Sequence, residues 1–179
     1  MNFKNTSDKF GLISKLLHWS VAILIIGLIG LGWWMVTLDY YHEWYYRSLE
    51  LHKSFGILVL ELGLIKIAWS VYSRAPEMVA TLKRWERIGA HIMHVVLFSL
   101  MVLIPVTGYL ISTSDGQAVS FFGWHQVPAV VSENETLRDL AIEAHYYLAY
   151  LTIALIVLHA GAALKHHFWD KDATLKKML

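Results

Sequence analysis

Four apolar stretches, each long enough to cross a lipid bilayer, occupy most of this 179-residue chain. A spanning helix needs about 20 mostly apolar residues, because the hydrocarbon core is about 30 Å thick and a helix rises about 1.5 Å per residue. Leu16 to Leu38, Ile88 to Ser112 and Ala144 to Leu164 contain no charged residue, and Leu51 to Tyr72 contains Lys53, Glu61 and Lys66. In lipid a backbone has to satisfy its own hydrogen bonds, so stretches of this length form helices. The expected fold is all-α, an integral membrane four-helix bundle. It forms one transmembrane domain over residues 1–179, with helices at about 14–38, 51–73, 86–112 and 140–166 and a kink at Pro105. Composition agrees: 16% of residues are charged, against about 25% in a soluble domain.

The first stretch follows Lys4, Lys9 and Lys15 as a signal peptide would, yet its apolar run exceeds a signal core of about 7–15 residues and no small-x-small site closes it. It reads as a retained helix. Lysine and arginine set the orientation. Eleven lie in the N-terminal tail, the 73–87 loop and the C-terminal tail, against three (Arg47, Lys53 and Arg138) in the opposite segments. Both termini are therefore expected in the cytoplasm of a bacterial cell, the protein being multi-pass in its inner membrane. Phe121, Phe122 and Trp124, in the 113–143 segment, are expected to face the outer interface.

The chain has no cysteine, which excludes disulfides, iron–sulfur clusters, thiolate zinc sites and covalently attached c-type haem. A net charge of +1 excludes a basic nucleic-acid binder. Ten histidines remain. His145 and His159 lie fourteen residues apart on the fourth helix. Fourteen steps of about 100° fall about 40° short of four turns, so both share one face, about 21 Å apart along the axis. His52 opens the second helix at the outer level of His145, and His18 opens the first at the inner level of His159. Two stacked His–His pairs are the arrangement for two bis-histidine haems. The residue four places after each is small, Ala22, Gly56, Ala149 and Ala163, as a flat macrocycle lying against a helix requires. His91 and His94 are followed by Val95 and Phe98; either competes with His18 as the inner ligand, or lines the site as a polar donor. Zinc is the rival reading, but it needs three or four ligands converging at about 2.0–2.1 Å, and these histidines are split between two depths.

Lys66 lies fourteen residues after His52, hence at the inner level. It is placed either to meet a haem propionate or a quinone, or to snorkel to the inner interface. Glu61 lies nearly opposite His52 and away from the haem face. His94, His166, His167 and Trp169, near the inner boundary, are candidates for a quinone site. Lys53, beside His52, is the candidate for a small anion approaching from outside.

Several segments resemble the prokaryotic cytochrome b561 family. They are Ser14-Lys15-Leu16-Leu17-His18-Trp19, Leu51-His52-Lys53-Ser54-Phe55-Gly56, Glu143-Ala144-His145, Leu158-His159-Ala160-Gly161 continuing to Lys165-His166-His167-Phe168, and Lys171-Asp172-Ala173-Thr174-Leu175-Lys176. The resemblance covers about residues 8–179. It implies two non-covalent b haems, held by His18 with His159 and by His52 with His145. It also implies electron transfer between a membrane quinone, such as ubiquinone, and a redox partner on the periplasmic side; for some members that partner is superoxide. The family pattern carries arginine where this chain has Lys66, and a lysine makes no bidentate contact. The leading expectation is a quinone-linked di-haem electron carrier. The alternatives are a relay subunit docking a periplasmic quinone-binding or reductase protein, and a histidine-based metal-ion transporter. Expected partners are the bilayer, quinone, a periplasmic redox partner and a second copy in a homodimer, with no nucleic acid. The outer segments (39–53 and 113–143) carry eight acidic and three basic residues, which would repel superoxide at long range.

Overall fold

A computed structural model describes residues 2–179. Four helices, α1 (Leu12–Met35), α2 (Tyr45–Tyr72), α3 (Arg84–Thr113) and α4 (Glu135–Phe168), are each long and apolar enough to span a membrane. A hairpin of β1 (Val119–Phe121) and β2 (His125–Val127) interrupts the segment between α3 and α4. The helices run alternately up and down, with α1 packed on α2, α2 on α3 and α3 on α4. The shared core is small: Val21, Val59 and Met101 meet at mid-height, flanked by Leu24, Leu28, Leu62 and Phe98. The outer faces are apolar instead, with Ile23, Ile26, Leu64, Ile65, Leu103 and Val157 exposed. Water would not tolerate such a surface, whereas lipid covers it without cost.

Two helices start earlier than hydropathy alone indicates. A turn in which the Tyr45 N–H donates to the His42 carbonyl at 2.9 Å leads into α2 six residues before Leu51. Asn134 caps α4, its Oδ1 accepting from the Leu137 N–H at 2.9 Å, so that helix begins at Glu135 rather than near 140. Both extensions are polar first turns lying beyond the apolar span.

At the end carrying both termini, Asn5 ties three segments together. Its Oδ1 accepts from the Gly11 N–H at 2.9 Å and the Ser14 hydroxyl at 2.7 Å. Its Nδ2 donates to the carbonyls of Ser73 and Arg74 at 2.9 and 3.2 Å, and its N–H donates to the Ser73 hydroxyl at 3.1 Å. Trp19 Nε1 donates to the Met178 carbonyl at 3.1 Å and binds the C-terminal tail to α1.

The hairpin closes the opposite end. Phe122 and Gly123 take φ values of +51° and +74°, and the Trp124 N–H donates to the Phe121 carbonyl at 2.9 Å. These positive φ angles at both central positions define a mirror-image turn of the kind favoured between short strands. A bulky residue rarely adopts this conformation. Here the Ser54 hydroxyl holds it, accepting from the Phe122 N–H at 3.0 Å and donating to the Ser120 carbonyl at 3.1 Å. The Phe55 ring packs edge-on against Phe122 at 5.0 Å. Phe121 is consequently buried rather than displayed at the interface; Trp124, 82% exposed, is displayed.

Candidate cofactor-binding site

Antiparallel helices bring the four spaced histidines together in two pairs. His18 of α1 faces His159 of α4 near the terminal end, with ring centres 6.4 Å apart. His52 of α2 faces His145 of α4 near the hairpin end, at 6.2 Å. A metal bonded to two opposed imidazoles sits about 2.0–2.1 Å from each ligand nitrogen. That nitrogen lies about 1.1 Å from the centre of a five-membered ring with sides near 1.33 Å, so the ring centres should stand about 6.3 Å apart. Both pairs fit that spacing. His94 lies closer to His159, at 5.4 Å, with its ring edge-on at 76°. This is shorter than the spacing of two imidazoles opposed across one metal, which the His18–His159 pair matches. His91 is exposed on α3.

The hairpin-end pair is oriented by backbone. His145 Nδ1 lies 3.1 Å from the Ile104 carbonyl and 3.1 Å from the Thr107 hydroxyl, which itself donates to Ile104 at 2.8 Å. With Nδ1–H donating to the carbonyl, Nε2 is left as the free lone pair, the usual support for a metal-bound histidine. Two glycines complete the cradle. A Cβ on Gly32 would stand 3.2 Å from His52 Cε1, and one on Gly108 would stand 3.1 Å from His145 Cε1. A hydrogen at these positions lets α1 and α3 approach the imidazole edges without displacing the rings. Sequence reasoning missed both glycines, although the signal was present: Gly32 follows His18, and Gly108 follows His94, by the same fourteen residues that separate His52 from Lys66 and His145 from His159. A Cβ on Gly56 would meet no atom within 4 Å, so open space adjoins α2 one turn below His52.

The terminal-end level carries more charge. The Lys66 ammonium lies 5.4 Å from the Phe98 ring centre and within charge–charge range of His18 and His94. Among the described residues it forms no ion pair with a carboxylate. Lys53, at the other end, is half-buried and within charge–charge range of Glu50 and Asp115.

The residues expected near a quinone diverge. His166 turns inward, with Nδ1 2.8 Å from Asp170 and 2.9 Å from Asp172. Burial pushes the Asp172 carboxyl up, but hydrogen bonding from Thr174 and the nearby His166 outweigh it and hold the group below the ordinary aspartate range. His167 is half-buried with no partner for Nδ1, and Trp169 is 85% exposed.

The fold and its paired histidines define a four-helix membrane protein suited to buried imidazole-ligated cofactors. The sequence profile of the prokaryotic cytochrome b561 family matches residues 9–179, and the chain belongs to that family. Its bundle of membrane-spanning helices makes it a multi-pass protein of the bacterial inner membrane, and the family carries b-type haem in electron transport. It is 44% identical over 179 residues to cytochrome b561 homolog 2 of Escherichia coli (strain K12), covering 100% of this chain and 95% of that relative. Cytochrome b561 homolog 1 of the same organism is 28% identical over 176 residues, covering 96% of this chain and 97% of the relative. A Yersinia pestis protein named probable superoxide oxidase CybB is 29% identical over 173 residues, with 96% of each chain covered.

Proposed function

We propose that this chain holds two b haems and carries electrons across the bilayer between the quinone pool and a redox partner on the periplasmic side. The observation that carries the reading is the pair of imidazole spacings, 6.4 Å for His18 with His159 and 6.2 Å for His52 with His145. Haem b, when bound, supplies a one-electron iron couple at each level. The residues supply the rest. His145 is locked by Ile104 and Thr107, Gly32 and Gly108 admit the helices to the imidazole edges, and Lys66 places an unpaired positive charge at the terminal-end level. With the lysine-rich, terminal end in the cytoplasm, the hairpin end faces the periplasm. His94 and Lys66 are then the polar groups available to a quinone entering from the inner leaflet. His166, lying beside the carboxylates Asp170 and Asp172, and His167, with Trp169 at the surface, form the outlying part of such a site.

The name of the Yersinia pestis relative brings superoxide forward as the periplasmic donor, with Lys53 as its approach. The excess of acidic residues at the hairpin end, and the carboxylates beside Lys53, favour a second reading: a relay that receives electrons from a docked protein, with Trp124 at the contact. Pyridine haemochrome analysis of the purified protein tests the shared core of both readings. About two extractable haems per chain are expected; a ratio near one, or a haem retained after acid–acetone extraction, would end it.

A further inference from the structure

A further set of metal-ligating atoms converges at the terminal end, outside both histidine pairs. Glu86 in the first turn of α3, His166 in the last turn of α4 and Asp170 just beyond it each bring one ligand atom within 4.8 Å of the others. His166 Nδ1 lies 2.8 Å from Asp170 Oδ2 and 2.9 Å from Asp172 Oδ2. These are not solvated surface groups: the side chains of Glu86, His166 and Asp172 are 10%, 12% and 7% exposed. Two of the carboxylates are aimed by backbone. Glu86 Oε2 accepts from the Lys83 N–H at 2.9 Å and Asp172 Oδ1 from the Thr174 N–H at 2.7 Å, which leaves the other oxygen of each turned toward the cluster. An imidazole Nδ1 carries at most one hydrogen, so it cannot serve two carboxylate oxygens equally. A tethered cation already sits among them: Lys165 Nζ lies 3.1 Å from Glu86 Oε1 and 2.6 Å from Asp170 Oδ2. With the imidazole neutral, three carboxylates against one ammonium leave two negative charges in a largely buried cluster. Buried charges of that kind are paired or coordinate metals.

We propose that Glu86, His166, Asp170 and Asp172 bind one divalent first-row cation, with His166 Nδ1 and one oxygen from each carboxylate as donors. One imidazole nitrogen with three carboxylate oxygens suits manganese or zinc. Ligands each about 2.1 Å from one ion stand at most about 4.2 Å apart, and a turn of the Asp170 side chain closes the remaining gap. The ion takes the place of the Lys165 ammonium, whose side chain is 47% exposed and free to withdraw. It then staples the start of α3 to the end of α4 and to the segment that follows. The ligand set shares no residue with the His18–His159 and His52–His145 pairs, so this site does not depend on the haem assignment.

Manganese is the probe, because carboxylate oxygens hold it better than isolated histidines do. Full-length protein in an uncharged detergent, free of anionic lipid, is titrated with Mn²⁺, and the electron paramagnetic resonance signal of the free ion counts what is bound. One Mn²⁺ per chain is expected, displaced by Zn²⁺ as the general order of affinities requires. His166→Phe and Asp170→Asn should each weaken binding by at least about tenfold. Lys165→Met should tighten it by about tenfold, because a like charge a few ångströms from the ion is gone. Mn²⁺ should also raise the Tm of the unmodified chain and of Lys165→Met, and leave that of Asp170→Asn unmoved. A cluster that is only a set of ion pairs behaves otherwise: Lys165→Met lowers Tm, and the metal does not restore it. Failure of the unmodified chain to bind Mn²⁺ would overturn the proposal. So would a bound ion indifferent to His166→Phe and Asp170→Asn, or a Lys165→Met variant that binds more weakly than the unmodified chain.

Discussion

Lys66 carries its charge at the depth where His18, His94 and His159 gather, with no described carboxylate to balance it. A fixed positive charge beside the proposed terminal-end haem favours the reduced iron over the oxidised, more cationic one, and so raises its potential. An interaction of about 1 kcal/mol in a partly screened site corresponds to about 40 mV for one electron. Lys66→Met should lower the terminal-end potential by that order and leave the hairpin-end haem, about 21 Å away in helix rise, almost unmoved. Redox titration of the variant checks this, with single-haem variants assigning the two waves. Gly108 acts through shape rather than charge. Gly108→Ala would bring a Cβ to 3.1 Å from the His145 ring, closer than most such contacts, and forces the ring to yield. Overpacking of this kind costs about 1–3 kcal/mol. Haem retention should therefore fall at the hairpin end alone, read as partial loss of one low-spin signal, while Gly27→Ala, which meets no atom within 4 Å, serves as the neutral comparison.

The helices themselves were legible because lipid imposes a length and an apolar composition that no soluble helix of this chain could disguise. Their ends were not. The first turns of α2 and α4 are polar, capped by the His42 turn and by Asn134, and hydropathy stops where those caps begin. The hairpin was hidden for a different reason. Its turn is built on Phe122-Gly123 rather than on the asparagine or aspartate that usually accepts a positive φ, and the force that holds it comes from Ser54, 68 residues away in sequence. The terminal-end layer is likewise a long-range construction. Asn5 makes five hydrogen bonds to Gly11, Ser14, Ser73 and Arg74, and Asn5→Ala would leave several of these groups short of partners. A loss of about 2 kcal/mol is expected from a network of this kind, lowering Tm by about 4–8 °C for a chain of this size. Thermal unfolding in detergent, followed by haem absorbance, measures it. Asn5→Asp, which keeps the acceptor toward Gly11 and Ser14, should recover part of the loss.

Across the whole molecule one spacing recurs on every helix. His18 and Gly32, His52 and Lys66, His94 and Gly108, and His145 and His159 are each fourteen residues apart, and because neighbouring helices run in opposite directions these eight positions fall on two levels. The terminal-end level gathers His18, Lys66, His94 and His159; the hairpin-end level gathers Gly32, His52, Gly108 and His145. The histidines could be read from the chain because an imidazole inside a membrane is costly and so stands out. The glycines share that spacing, but a missing side chain marks a close approach only once the neighbouring helix is known. The two levels share α4 but otherwise draw on different ligands, so the haems should be separable. His52→Ala or His145→Ala should remove the hairpin-end signal and keep the other, while His18→Ala or His159→Ala should do the reverse. His94→Ala should leave both low-spin spectra in place, since its 5.4 Å approach to His159 is packing rather than opposition across an iron. Optical and electron paramagnetic resonance spectra of the five variants decide the assignment. Loss of the terminal-end signal in His94→Ala together with its survival in His18→Ala would transfer the ligand from α1 to α3, and with it the helix on which that haem is hung.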